Sequence, residues 1–253
     1  MKTNKISLLY CGDDSLRQSA RYLYGVLKHL GYALDYIPSR RSLTVQHLRK
    51  DYQAVILSDY PSARIAPAAQ DRLVKMVAGG TGFLMIGGWG SFHGYDGHYH
   101  CSKLAEILPV QCCSHDDRVN CPQGGIIIPQ NDRIFRTSSL KFENGPLIGG
   151  YNKVVLRAES QLLLAVRDLK INLPKISLSS KEYPLLVTGC YGNGRTVCYM
   201  SDLAPHWSGG VVDWGQRKIR INNVAGFFME VGQKYVKFIQ TLITLALAKA
   251  QHD

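Results

Sequence analysis

Short apolar runs alternate with amphipathic segments over the first 90 residues, and this alternation constrains the fold more than any other feature of the sequence. The runs at 6–10, 32–37, 54–57 and 81–86 have the length and composition of strands that are covered on both faces. Between them, apolar residues recur at helical spacing over 16–30 and 69–77. Strands and helices that alternate this closely predict parallel pairing with right-handed crossovers.

The chain after residue 91 is less regular. Strand-like runs return at 125–128, 154–158, 162–166, 185–191 and 196–200. The last two runs are joined by the sequence GNGR at 192–195, which predicts a hairpin. A final helix is predicted over 235–245. No clear linker divides the chain, so the sequence predicts one α/β domain over 1–253.

The composition is that of a globular protein, with 45% hydrophobic and 19% charged residues. No apolar stretch approaches the ~20 residues that a membrane-spanning helix needs. The start of the chain lacks the long apolar core of a secretion signal, and we therefore expect a cytoplasmic protein. Seven scattered cysteines are expected to be reduced thiols, with Cys11, Cys190 and Cys198 as small core residues.

A formal net charge of +11 raises the question of an anionic partner. The basic residues are dispersed, however, and no nucleic-acid-binding motif is present. The sequence therefore disfavours nucleic acid and favours a small-molecule ligand. No cofactor is predicted.

Ligands of parallel α/β sheets bind beyond the carboxyl ends of the strands. Here that rule selects the segments 11–14, 58–60, 87–93 and 201–207, each of which follows an apolar run with polar residues. Asp13 and Asp59 are candidates for ligand binding. For either residue alone, capping of a turn or helix is the stronger interpretation.

The segment 87–91, GGWGS, is the most informative of these. Glycines around one large residue directly after a strand indicate positive φ angles, as in a nucleophile elbow. Such an elbow requires Ser or Cys at its tip, where this chain has Trp89 or, with a shift of one residue, Gly90. Ser91 does not fit the G-x-S-x-G pattern, because Trp89 stands where that pattern needs glycine.

Three motifs together resemble the putative glutamine amidotransferase family, which is related to class I glutamine amidotransferases and to trehalose-utilisation-type proteins. The motifs are GGWGS at 87–91, SDYP at 58–61 and SDLAPHW at 201–207, and they occur in the expected order. The resemblance implies a flavodoxin-like three-layer sandwich in one domain, with a mainly parallel central sheet and late antiparallel hairpin strands.

Class I amidotransferases use an elbow cysteine that is activated by a histidine and a glutamate. By this resemblance, Trp89 occupies the cysteine position and His206 matches the histidine, but no His-x-Glu follows, and Asp202 is the nearest carboxylate. We therefore expect no ammonia release from glutamine, because a thioester needs a thiolate.

The loop after the elbow contains His93, His98, His100 and Cys101, which are residue types that bind metals. No recognised metal-binding spacing is present, so we interpret the segment as a flexible loop beside a pocket, with no metal site.

The leading functional hypothesis is a small-molecule-binding protein without glutaminase activity. Backbone N–H groups at the elbow and the basic charge favour an anionic or polyhydroxy ligand. The predicted site residues are Asp13, Asp59, Gly88, Trp89, Gly90, Ser91, His93, Asp202 and His206. One alternative is a hydrolase or isomerase in which His206 acts as a base with Asp202 or Asp59, with or without a metal. Another is a homo-oligomeric structural subunit with a vestigial pocket.

Overall fold

The computed structural model describes residues 5–130, 134–135, 139–142 and 145–248. The strands are β1 Ser7–Gly12, β2 Ala33–Ile37, β3 Ala54–Ser58, β4 Gly82–Ile86, β5 Val110–Cys112, β6 Arg118–Pro129, β7 Leu147–Asn152, β8 Val154–Leu156, β9 Gln161–Asn172, β10 Lys175–Leu178, β11 Tyr183–Tyr191, β12 Gly194–Tyr199, β13 Lys218–Val224 and β14 Phe227–Gly232. The helices are α1 Ala20–His29, α2 Pro67–Ala78, α3 Pro205–Val212 and α4 Gln233–Leu247. Short 3₁₀ helices lie at Val45–Leu48, Ser62–Arg64, Tyr99–Cys101 and Lys103–Ile107.

One half of the main sheet is parallel and has the strand order β2-β1-β3-β4-β12. Strand β2 lies on one side of β1, and β3 and β4 follow on the other side. The strand order therefore reverses between β1 and β3, which is the switch point of the sheet. This is the flavodoxin-like order of strands. The predicted α/β fold and its late β11–β12 hairpin are thereby confirmed.

The other half of the sheet is antiparallel and continues from β12 in the order β11-β9-β6-β7. This half is larger than the sequence predicts. The predicted strand at 125–128 is part of the longer β6. The run at 154–158 contributes only β8, which pairs with β5 in a separate small sheet.

Helices cover both faces of the parallel strands. On one face, Leu8, Ile56 and Leu84 pack with residues of α1 and α4 in one apolar cluster. On the other face, Leu9 and Val55 pack with residues of α2 in a second cluster. Consecutive residues of one strand therefore enter different layers, as the pleat of a β-strand requires. Each fully buried aliphatic side chain contributes about 1.5–3 kcal/mol of transfer free energy.

Two local expectations were wrong. Helix α1 begins at Ala20 rather than near Leu16, because the residues before it form a turn in which the Gln18 N–H donates to the Ser15 carbonyl. Cys190 is exposed rather than in the core, since it pairs with Arg195 near the turn of the β11–β12 hairpin. Within the described ranges, no helix is long and apolar enough to cross a membrane.

Candidate functional site

Four adjacent parallel strands end at the same edge of the sheet, and the candidate residues follow directly after them. Asp13 follows β1, Asp59 follows β3, the turn at 87–91 follows β4, and Asp202 follows β12. Because these strands are neighbours in the order β1-β3-β4-β12, the structure brings the four segments together as the topological rule predicts.

The backbone after β1 and β3 takes an unusual conformation. Asp13, Asp14 and Asp59 have φ angles of 49°, 49° and 46°, in the left-handed region that Asp tolerates better than most residues. The Asp13 N–H donates to the Ser58 carbonyl at 3.0 Å. Ser39 Oγ donates to the Asp59 carbonyl at 2.9 Å and accepts from the Asp14 N–H at 3.2 Å. These bonds hold the two strand ends against each other.

Asp13, Asp59 and Asp202 form a group of interacting carboxyl groups, which we call the carboxylate cluster. Burial raises the pKa of Asp13 to about 7, and the charge of Asp59 adds to this shift. Burial also raises the pKa of Asp202 well above its usual range, with further contributions from Asp13 and Asp59. The Tyr10 hydroxyl donates to Asp13 Oδ2. Near neutral pH, Asp13 is therefore protonated in part of the molecules and presents a donor as well as acceptors.

Backbone N–H groups of the turn at 87–91 donate to side chains from other parts of the protein. The Gly90 N–H donates to Asp59 Oδ1. A hydrogen bond from the Trp89 N–H also lowers the pKa of Asp59, although the larger effect of burial raises it. The Gly88 N–H donates to Asn152 Oδ1 at 2.9 Å. At Gly88 and Gly90, the N–H groups that the sequence analysis offers to a ligand are therefore already bound by side chains of the protein.

Position 88 requires glycine because the side chain of Asp59 closely approaches its backbone. Gly88 has a φ of 143°, and a Cβ atom at this position would lie 2.7 Å from Asp59 Oδ1. Ser91 is buried, and its hydroxyl donates to the Ile86 carbonyl and accepts from the Asp59 N–H at 3.0 Å. Ser91 thus closes the turn with an internally bonded hydroxyl, rather than presenting it to a ligand.

Two buried residues that the sequence analysis did not identify support this turn from the antiparallel half of the sheet. Asn152 Nδ2 donates to Asp117 Oδ1 at 2.7 Å and to the Gly88 carbonyl at 3.1 Å. Asp117 also accepts from the N–H groups of His93 and Gly94, at 2.8 and 2.9 Å. Asp117 is 1% exposed and Asn152 is 0% exposed. No local pattern distinguishes either residue in the sequence.

Trp89 forms the exposed rim of the site. Its side chain is 47% exposed, and the guanidinium of Arg118 lies 4.4 Å from its ring centroid. Arg118 is oriented by Asp116 through bonds of 2.7 to 3.2 Å. The ring of His206 meets Trp89 edge-on at 5.8 Å.

The proposed pair of His206 and Asp202 is close but is not hydrogen-bonded. Nδ1 of His206 lies 3.8 Å from Oδ2 of Asp202, longer than the ~3.2 Å limit of a working acid–base pair. Both oxygens of Asp202 accept from the Trp207 N–H, at 3.1 and 3.3 Å. Asp202 therefore binds a backbone N–H of the first turn of α3 in addition to joining the carboxylate cluster.

His93 lies in a different group of side chains. Its Nδ1 is 3.1 Å from Nδ1 of His100, and its ring contacts His98 at a centroid distance of 5.1 Å. Burial and the two neighbouring imidazoles lower the pKa of His93. Among the residues that the structure describes, no three His, Cys, Asp or Glu side chains are arranged to hold a metal ion.

Comparison with known proteins gives one matching family model and similar solved structures. A family model described as "Putative glutamine amidotransferase" matches residues 12–229. The chain is 25% identical to Cytoplasmic Protein STM3548 from Salmonella typhimurium, with a TM-score of 0.71 over 94% of this chain and 98% of the other. It is also 25% identical to Cytoplasmic Protein STM1381 from Salmonella typhimurium LT2, with a TM-score of 0.68 over 95% and 99% of the two chains. The chain matches no curated protein.

Proposed function

The chain belongs to the putative glutamine amidotransferase family, and from this premise we propose that it binds a small polyhydroxy molecule at the carboxylate cluster and has no glutaminase activity. The observation that carries this proposal is the meeting of Asp13, Asp59 and Asp202 at the ends of neighbouring strands, beside the exposed ring of Trp89. The family name describes ancestry, and the function depends on these residues.

The positions of the cysteines argue against amide hydrolysis through a thioester intermediate. None of the seven cysteines falls within 87–91. Cys11 and Cys198 are buried, and burial raises the pKa of both thiols. Burial likewise raises the pKa of Cys112 to about 12. A thiol in such surroundings is not a nucleophile at neutral pH.

The ligand class follows from the charges and donors of the site. Carboxylates repel anions, and at Gly88 and Gly90 the N–H groups that would bind an anion are already engaged. Carboxyl groups with raised pKa values both donate to and accept from hydroxyl groups. The half-exposed Trp89 offers an apolar surface for the C–H face of a ring. Of the two predicted ligand classes, the site therefore favours the polyhydroxy one.

Thermal-shift titration with neutral sugars and polyols tests the proposal, with L-glutamine and inorganic phosphate as comparison compounds. A ligand at 100 times its Kd stabilises the native state by about 2.7 kcal/mol. We expect stabilisation by at least one neutral polyol, and Trp89→Ala to weaken it about tenfold through loss of the stacking surface. Phe228→Ala, at an exposed aromatic residue of β14, is the matched control and should leave the affinity unchanged. Release of ammonia from glutamine, or stabilisation by phosphate alone, would contradict the proposal.

One observation supports a second candidate, a hydrolase or isomerase that uses His206. This imidazole is exposed and close enough to Asp59 to lower the pKa of that carboxyl group. A ligand could draw His206 and Asp202 together from 3.8 Å. Loss of turnover in His206→Ala, with polyol affinity unchanged, would favour the enzyme over the binding protein.

We further propose a single domain over 1–253 and a cytoplasmic location. The first is supported by β12, which comes late in the chain yet joins the parallel half to the antiparallel half. The second is supported by the two Salmonella relatives, which are named as cytoplasmic proteins. The homo-oligomeric subunit stays a prediction, which light scattering of the purified protein would test.

A further inference from the structure

We propose that Asp59 is a built-in anion: its carboxylate fills an anion-binding site formed by the N–H groups of Trp89 and Gly90, and so excludes carboxylate and phosphate ligands from the turn. The inference concerns anions and goes beyond the proposed polyol ligand. It makes Asp59 a specificity-determining residue and assigns the turn a latent binding site.

The sheet places Asp59 against the turn. Ser58, the last residue of β3, pairs with Ile86, the last residue of β4, so Asp59 and Gly87 leave the sheet side by side. The Asp59 N–H then donates to Ser91 Oγ, while its carboxylate accepts from the Gly90 N–H. Asp59 is therefore bonded to the turn through both its backbone and its side chain.

Gly88 provides the space for this arrangement. A Cβ atom at position 88 would lie 2.7, 2.8 and 2.9 Å from Oδ1, Cγ and Cβ of Asp59. The turn is thus shaped around a carboxylate. An external oxyanion would need the same N–H groups at about 2.7–3.1 Å, and it therefore competes directly with Asp59.

The surrounding charges add to the exclusion. Asp59 interacts electrostatically with three other carboxyl groups, those of Asp13, Asp14 and Asp202. The neighbouring His206 favours the charged form of Asp59. An anion that approached the native turn would meet these carboxyl groups as well as Asp59. Removing Asp59 both lowers the local negative charge and leaves the N–H groups of Trp89 and Gly90 without their acceptor.

The side chain of aspartate is a methylene group with a carboxylate, so Asp59→Gly removes the equivalent of one acetate ion. The φ of Asp59 is 46°, a conformation that glycine adopts readily, so the substitution relieves strain at this position. We therefore expect acetate to bind in the vacated space and to restore the lost hydrogen bonds.

The test is titration of Asp59→Gly with sodium acetate at constant ionic strength, followed by thermal unfolding. We expect a saturable rise in Tm of about 3–5 °C at a tenfold excess of acetate over its Kd, and no saturable rise for the wild-type protein. Asp14→Gly is the matched control, because Asp14 has the same left-handed backbone but is exposed. Asp59→Asn should also not respond, since its amide oxygen can still accept from the turn.

Two outcomes would overturn the inference: an equal acetate response in the wild-type protein, or no response in Asp59→Gly. If Asp59→Gly does not fold, Asp59→Ala titrated with formate replaces it, because that substitution removes only the carboxylate. The absence of a formate response in a folded Asp59→Ala would have the same meaning. Polyol binding is a separate measurement on the wild-type protein, so this inference and the proposed function can fail independently.

Discussion

The parallel and antiparallel halves of the sheet contribute to the site in different ways. In β2-β1-β3-β4-β12 all strands run in the same direction, so the residues that follow them gather at one edge. In β11-β9-β6-β7 the direction alternates, and strand ends are divided between two edges. The parallel half supplies the carboxylate cluster and Trp89, whereas the antiparallel half supplies Asp117 and Asn152, which hold the turn. Groups that face a ligand and groups that position them thus come from differently organised parts of the sheet.

The largest effect on stability is expected at Asn152, through which the antiparallel half holds the turn. Asn152→Ala leaves the Gly88 N–H without its acceptor and Asp117 without one of its donors, all in a buried region. We expect the free energy of unfolding to fall by about 3 kcal/mol, measured by urea denaturation. Asn172→Ala, at the exposed end of β9, is the control and should change it by less than about 0.5 kcal/mol. Equal losses in the two variants would show that the antiparallel half does not support the turn in this way.

A pH-dependent effect of intermediate size is expected from Asp13, in the parallel half. Its pKa of about 7 in the folded protein is above the ~3.9 of an unfolded chain. Between these values only the folded state holds the proton, so stability falls as pH rises, by at most about 1.4 kcal/mol per pH unit. Above pH ~7 both states are ionised, and the contribution becomes constant.

Asp13→Asn should remove this slope. The stability of the variant relative to the wild-type protein should therefore increase from pH 4.5 to about 7 and then level off, as measured by urea denaturation at several pH values. Asp35→Asn is the control: hydrogen bonds from Tyr52 and Lys50 lower the pKa of Asp35, so this carboxyl group is ionised in both states above pH ~4.5, and the difference from the wild-type protein should be flat over the same range. A flat difference between Asp13→Asn and the wild-type protein would show that Asp13 is not buried as described.

The smallest effect is expected at Arg118, where the antiparallel half meets the rim. Arg118→Gln removes the cation–π contact with Trp89 and the bonds to Asp116, all close to solvent. We expect a loss of about 0.5–1 kcal/mol at low salt, together with a change in tryptophan fluorescence as Trp89 becomes freer. Lys50→Gln breaks the exposed ion pair with Asp35 and is the control, which should leave the tryptophan fluorescence unchanged. An unchanged tryptophan spectrum in Arg118→Gln would contradict the contact between Arg118 and Trp89.

The sequence predicted the first four strands of the parallel half well because their signals are local, whereas it predicted β12 only as part of a hairpin. The strand predicted at 54–57 is Ala54–Ser58, and that predicted at 81–86 is Gly82–Ile86. Each strand is a short apolar run beside a helix, and parallel pairing follows from the alternation itself. The meeting of Asp13, Asp59, Trp89 and Asp202 then required only the rule for carboxyl ends. The partners of β6 and β9 were not predictable, because antiparallel pairing between distant segments has no local signal.

The sequence by itself determined which residue types stand at each strand end: a tryptophan rather than a cysteine in the turn, and aspartates after β1, β3 and β12. Only the tertiary structure decided what those groups are free to do. It turned Ser91 inward, gave the Gly90 N–H to Asp59, and brought Asn152 from β7 to Gly88. The physical reason is that hydrogen bonds form between atoms that are close in space, and the side chains that bind the Gly90 and Gly88 N–H groups are 31 and 64 residues away along the chain.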